Sequence, residues 1–223
     1  MNARNPSALS SPWAPFESRR RARNEKREAV LRAAVQVFLE KGYHRATMND
    51  VAERLNITKP ALYNYFGSKD EILFECCVLG QERIDEAITE IDAGGGVGLA
   101  KLRKLIRAYA EVMTTDYGAG LIRFDTRDLS ERNSRTLRAA KKDIDRAFRT
   151  YVAEGIADGS IKPCDPKLAA FAIAGSLNWI GHWFQPGGDL SAGDVANEFA
   201  TRLTDGLAAR QTRTTRKAKP AKG

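Results

Sequence analysis

Between Thr47 and Ser68 three helix-start signals follow one another so closely that the chain has room only for short helices joined by tight turns. Thr47 stands three residues before Asp50, a capping-box-like pair for a helix of barely two turns whose inward residues are Val51, Ala52 and Leu55. Asn56 follows, one of the few non-glycine residues that tolerate positive φ, and Ile57 reads as an apolar plug. Thr58 caps the next helix, with Lys59 and Pro60 in its first turn, where proline's missing donor costs little. Ser68 caps a further helix, with Lys69 first and Glu71 completing a second box. Helix, tight turn, helix is the helix-turn-helix pattern.

The aromatic residues of "NITKPALYNYFGSKDEIL" divide by face. Leu62 and Phe66 lie one turn apart and share an inward side. Lys59, Tyr63 and Asn64 point elsewhere. Tyr63 and Tyr65 each carry an apolar ring tipped by a hydroxyl, suited to a phosphate oxygen or a thymine methyl. Lys69 at a helix start adds its charge to backbone N–H groups that favour a phosphate. The plainer role for these tyrosines is to seal a small three-helix core.

Charge places this head in context. The net charge of +8 is concentrated at the ends: residues 1–27 contribute +5 and residues 207–223 contribute +6, which leaves −3 for the middle. Segment 28–75 holds six Lys/Arg against seven Asp/Glu. The tail "RQTRTTRKAKPAKG" reads as a solvated extension. The run "RRRARNEKR" abuts a helix that Asn24 caps, with Glu25 and Glu28 in its first turn and Gly42 ending it, and there serves as a basic arm for phosphates.

The rest of the chain reads as helices. Ile72, Leu73, Cys76, Leu79, Ile84, Ile88 and Ile91 recur at helical spacing until "GGGVG" at 94–98. That glycine run lacks the Gly-Lys-Ser/Thr ending of a phosphate loop and follows a helix. A helix carrying Leu102, Leu105, Ile106, Tyr109, Val112 and Met113 follows, then "DYGAG" as a loop. A short segment with Leu121, Ile122 and Phe124 leads to a long helix ending near Gly155 or Gly159. Asp165 and Pro166 start "KLAAFAIAGSLNWIGHWF", apolar around nearly its whole circumference and so expected to be buried on all sides. Ser191 with Asp194 caps the last helix. Ala169, Ala172, Gly175 and Ser176 admit a close helix neighbour, and Leu168, Phe171, Trp179 and Trp183 add area. The monomer's core can cover one side of this helix and a second copy the other, giving a four-helix homodimer interface.

The stretch from Thr58 to Leu73, preceded by "GYHRATMNDVAERLNI", resembles the DNA-binding domain of the TetR family of transcriptional regulators. The resemblance implies an all-α homodimer that binds a double-stranded DNA operator in the cytoplasm, without enzymatic activity. With the proline-bearing start read as a flexible leader (1–18) and the basic end as a tail (210–223), the chain divides into a helix-turn-helix domain (19–67) and a ligand-binding and dimerisation domain (68–209). By position the resemblance implies DNA contacts from Thr47, Thr58, Lys59, Tyr63, Asn64, Tyr65 and Lys69, with Arg45, Asn49, Pro60 and Ala61 as additions. Tyr63, Tyr65 and Lys69 hold the backbone; Lys59 and Asn49 reach base edges. It also implies release by a small-molecule effector.

Residues expected to line the effector pocket are Phe74, Cys77, Ile106, Tyr109, Met113, Phe124, Trp179 and Trp183, with Asn178 as the polar contact. Each has packing as its plainer role, and Asn178 a satisfied buried amide. "LNWIGHWFQPGGDLS" is partly similar to a TetR subgroup that senses acyl-CoA thioesters. Arg123, Arg127, Arg132, Arg135 and Arg138 suit coenzyme A phosphates, or form a solvated helix face among Asp125, Asp128 and Glu131. No cofactor or metal is expected. His44 and His182 sit in no metal or triad spacing, and no GxSxG, HExxH or CxxC occurs. No run approaches a membrane span. Three cysteines without framework spacing suggest reduced thiols. A thiol-based redox regulator and a constitutive DNA-binding dimer are the alternatives.

Overall fold

The computed structural model describes residues 16–124 and 126–209. Most of the expected leader, the basic tail and Asp125 lie outside the described residues. Nine α-helices and one short 3-10 turn make up the described chain, which has no β-sheet. It divides between Ile72 and Leu73 into two compact units.

The first unit is built from α1 (Phe16–Lys41), α2 (Met48–Arg54), α3 (Lys59–Tyr63) and the first turn of α4 (Lys69–Gly94). Helix α1 begins eight residues before the expected cap at Asn24. From Phe16 to Lys41 the sequence holds neither glycine nor proline, and arginine, alanine and glutamate all favour helix, so nothing stops the helix running back to Pro15's neighbour. Gly42, at φ +79°, ends it as expected. Val30, Ala34, Val37 and Phe38 of α1 are buried, as are Val51 and Ala52 of α2, Leu62 of α3, and Phe66.

The expected turn features hold. Thr47 and Asp50 form a reciprocal capping box. Asn56 sits at φ +53°, and the Thr58 side chain accepts from Ala61 N–H. Two details differ. Ile57 is 36% exposed rather than a plug. Glu71 returns its carboxylate to Gly67 N–H (2.7 Å), one residue short of the Ser68 cap, whose Oγ accepts from Glu71 N–H (3.1 Å).

The second unit comprises the rest of α4 with α5 (Gly98–Met113), α6 (Asp116–Arg123), a 3-10 turn (Thr126–Asp128), α7 (Glu131–Ala157), α8 (Pro166–Trp183) and α9 (Ala192–Asp205). Helix α5 is its axis, packed by α6, α7, α8 and α9. Leu102, Leu105, Ile106, Ala110 and Met113 are buried against Ile144, Phe148, Tyr151, Ile173, Leu177, Ile180 and Val195.

Val97 has no side chain to cap α5, so the cap comes from the end of α7. Asp158 accepts from Gly98 N–H (2.6 Å) and Ser160 Oγ from Leu99 N–H (3.1 Å). Hydrogen bonds from Ser160 and Gly98 hold the Asp158 carboxyl below its ordinary pKa. Nearby, Lys101 pairs with Glu154 (2.9 Å), and Tyr151 donates to Asp92 (2.9 Å).

The "DYGAG" segment is helical rather than a loop. Thr115 caps α6 through Gly118 N–H (3.1 Å). Gly118 is a spacer here, since a Cβ would lie 2.0 Å from the Val112 carbonyl oxygen. Helix α8 also departs from expectation. Ala170, Ile173, Leu177 and Ile180 are buried, while Leu168 (64%), Phe171 (52%) and Trp179 (63%) are exposed.

Gly98 offers a test of this packing. A Cβ there would meet Gly155 N at 2.1 Å and Gly155 Cα at 2.5 Å, both backbone atoms. Gly98→Ala is expected to destabilise the fold by about 3 kcal/mol, the upper range for overpacking. Chemical denaturation followed by circular dichroism measures it.

Candidate nucleic-acid interface

The side chains around α3 separate into an outward set and a structural set. Lys59, Pro60, Tyr63 and Asn64 are exposed, as are Thr58, Arg45, Thr47 and Asn49. Tyr63 shows 45% of its surface, and the Lys59 ammonium lies 6.0 Å from its ring centre. Cation and phenol therefore stand together on the open side of α3, the pairing a groove floor and its flanking phosphates require. Asn49 is held by Glu53 (Nδ2 to Oε1, 2.5 Å), and Arg45 Nε donates to the Lys41 carbonyl (3.0 Å). Ala61 and Tyr65 are half-buried. Thr47 has its hydroxyl engaged in the α2 cap, donating to Asp50 (2.8 Å).

Lys69 is engaged within the first unit. Its ammonium donates to the carbonyls of Tyr43 (2.8 Å), Ala46 (2.8 Å) and His44 (3.4 Å), and sits 4.6 Å from the Tyr43 ring centre. The turn after α1 carries carbonyls with few helical partners, and a lysine stem reaches them. Lys69 therefore fastens the start of α4 to the turn after α1.

A second fastener, Arg27, was legible only as one cation in the basic run. Its guanidinium donates to the Tyr65 carbonyl (3.0 Å) and covers the Phe66 ring at 4.2 Å, locking α1 to the end of α3. Arg54 clasps Glu40 across α1 and α2, and Lys41 binds Asp50 at 2.6 Å. That lysine, with Thr47, holds the Asp50 carboxyl at about 2. Its contribution to stability is complete above its ordinary value of 3.8 and is lost as pH falls through about 2.

The residues expected at a ligand pocket are spread between the interior and the surface. Phe74 and Phe124 are half-buried, Cys77, Ile106 and Met113 are packed in the interior, and Arg127 is exposed. Tyr109 donates to Asn178 Oδ1 (2.7 Å) and meets Phe148 edge-on, so Asn178 is a satisfied amide. Burial pushes the Tyr109 phenol up to about 12, which keeps it a donor. Arg123 is bound to the end of α8, donating to Gly181 O (3.0 Å) and His182 O (2.8 Å). Arg135 and Arg138 reach Glu131, as a solvated face would. Trp179 and Trp183 lie on the outside of α8. Trp183, with Leu190, Asp194 and Phe199, lines an open groove of about 500 Å³. Among the described residues no cluster of His, Cys, Asp or Glu suits a metal ion, and no helix is long and apolar enough to cross a membrane.

A short capped helix with an outward cation and phenol, in a unit separate from a larger helical one, defines a helix-turn-helix DNA-binding regulator. Residues 30–76 match the family model described as bacterial regulatory proteins, tetR family, and residues 95–207 match the tetracyclin repressor-like C-terminal domain. The chain belongs to the TetR family of DNA-binding transcriptional regulators, which are not enzymes. It is 24% identical over 192 residues to the transcriptional repressor KstR2 of Mycolicibacterium smegmatis, covering 82% of this chain and 90% of that one. Among solved structures it is similar to the TetR family regulator PfmR of Thermus thermophilus. That match has 28% identity and a TM-score of 0.71, over 79% of this chain and 97% of that one. It shares the fold of AibR in complex with isovaleryl coenzyme A and operator DNA, at 22% identity and a TM-score of 0.69, over 82% and 98% of the two chains.

The two kinds of lysine give opposite expectations. Lys59→Ala with Tyr63→Ala should abolish retention of duplex DNA while leaving the melting temperature unchanged, because both side chains are exposed. Lys69→Ala should cost about 2 kcal/mol of stability through its charge-assisted hydrogen bonds. Thermal melts beside fluorescence anisotropy with duplex DNA separate the two.

Proposed function

We propose that the protein is a homodimeric repressor, released from a palindromic operator by an acyl-CoA thioester. The single observation that carries the DNA-binding part is the outward Lys59–Tyr63–Asn64 set on a rigidly fastened α3. The neighbouring anchors, Arg27, Lys69 and the Thr58 cap, hold that helix in place.

The apolar face of α8 supports the dimer. Leu168, Phe171, Trp179 and Trp183 form a row on one side of the helix, with Gly175 between them, and the α9 groove continues it. Such a row in water is costly, and a second copy laid across it buries it on both chains. Two heads related by a two-fold axis then fit half-sites about one helical turn apart or somewhat more.

The effector assignment draws on relatives and on the interior. AibR is described with isovaleryl coenzyme A, and a structurally similar KstR2 of Mycobacterium tuberculosis as a ketosteroid transcriptional regulator. In this chain the Tyr109–Asn178 pair is a polar handle within apolar walls of α5, α7 and α8. An acyl chain would insert there, opening that hydrogen bond. Only a difference in affinity between DNA-competent and released states shifts the operator equilibrium.

The thiol alternative finds no support. Cys76 and Cys77 are buried, and burial pushes the Cys77 thiol up to about 12 and that of Cys76 well above its ordinary value. Neither supplies thiolate near neutral pH.

Three outcomes follow. Native protein should show at most one fast-reacting thiol, Cys164, with a chromogenic disulfide, and three after unfolding. Light scattering should give twice 24.6 kDa, and Gly175→Leu should halve it without lowering helicity, since no atom lies within 4 Å of the new Cβ in the single chain. In a DNA-release assay, at least one acyl-CoA thioester should displace duplex where coenzyme A and the free acid do not. If none does while the chain still binds DNA, the effector assignment is wrong.

A further inference from the structure

The cations of the first unit are unevenly available. Residues 28–72 hold six Lys/Arg and six Asp/Glu, and most of these cations are engaged. Arg32 pairs with Glu28, Lys41 with Asp50 and Arg54 with Glu40, and Lys69 is bound by carbonyls. Lys59 and the outer nitrogens of Arg45 remain. The first turns of α1 are different. Residues 16–27 carry six Lys/Arg against Glu17 and Glu25. Arg19, Arg20, Arg23 and Lys26 are exposed and make no ion pair among the described residues.

Helical geometry sorts these cations into a stripe. At 100° per residue, Arg19, Arg23 and Lys26 share one line, and Arg20 stands above Arg27 on the adjacent line. Arg21 falls on the opposite side, where it reaches Glu25 (3.9 Å). Arg27 fixes the direction of the stripe, because its guanidinium is seated on the Tyr65 carbonyl and the Phe66 ring at the end of α3. The stripe therefore begins beside α3 and extends from it for about 12 Å, eight residues at 1.5 Å each. The stripe exists only because α1 is helical back to Phe16.

We infer that this stripe is a second DNA contact, in which Arg19, Arg20, Arg23 and Lys26 bind backbone phosphates flanking the base pairs under α3. The inference rests on the DNA-binding reading above. Its contribution is independent of sequence and strongly dependent on salt. Each phosphate neutralised adds about 0.9 to the slope of log affinity against log salt. Four contacts in one protomer account for a slope of about 3.6, or about 150-fold in affinity between ~50 and ~200 mM salt.

The test uses the full chain and a fluorescein-labelled mixed-sequence duplex of about 30 base pairs, titrated by anisotropy across that salt range. Replacing Arg19, Arg20, Arg23 and Lys26 together by alanine keeps helix propensity and removes no buried contact. The expected result is a slope shallower by about 3.6 per protomer bound, with helicity unchanged. A variant with lysine in place of the three arginines should keep the wild-type slope. An unchanged slope in the alanine variant, or loss in the lysine variant as well, overturns the inference while leaving α3 binding intact. If duplex binding is unchanged and capture by phosphatidylglycerol vesicles falls instead, the stripe serves a membrane surface and the inference is wrong. A wild-type chain that binds no duplex at ~50 mM salt overturns the DNA-binding reading itself.

Discussion

The reading helix α3 is five residues long, and an isolated helix of that length is unstable in water because nucleation costs more than one turn returns, so everything it does depends on what fastens it. Leu62 and Phe66 bury its inner side, Thr58 closes its start, and Arg27 binds the carbonyl just past its end. Lys69 fixes the following helix to the turn after α1. These fasteners use charge where a larger domain would use apolar area. The result is a small, fastened surface on which Lys59 and Tyr63 stay exposed.

That economy has an electrostatic consequence. Cations committed to carbonyls and carboxylates within the head no longer attract phosphates strongly. A near-neutral head must draw its affinity from few placed groups or from charge supplied elsewhere. The Arg-rich beginning of α1 is the nearest such supply, and the Arg27 contact sets its direction relative to α3.

The second unit solves a related problem. Helix α5 is enclosed by four helices yet begins after a glycine run with no cap of its own. Asp158 and Ser160 supply the missing acceptors from the end of α7, and two glycines, Gly98 and Gly155, let the backbones come close enough for it. On the far side, α8 gives one apolar face to this core and keeps another outside. The single chain covers only the first of these faces.

The sequence by itself determined the helices that carry their own start and stop signals: the Thr47–Asp50 box, the positive φ of Asn56, the Thr58 and Ser191 caps, and the break at Gly42. These depend on contacts within four residues of one another, so local chemistry decides them. It also separated Tyr63 from Phe66 by helical spacing. Tertiary structure alone decided which cations face outward and which are consumed, because Lys59 and Lys69 have the same chemistry and differ only in the carbonyls that folding brings within reach. The helix at "DYGAG" carries a local cap as well, Thr115 accepting from Gly118 N–H, a signal that the two glycines of the segment obscure. Tertiary structure decided as well that Tyr109 answers Asn178 across 69 residues of chain, a pairing that no local pattern encodes.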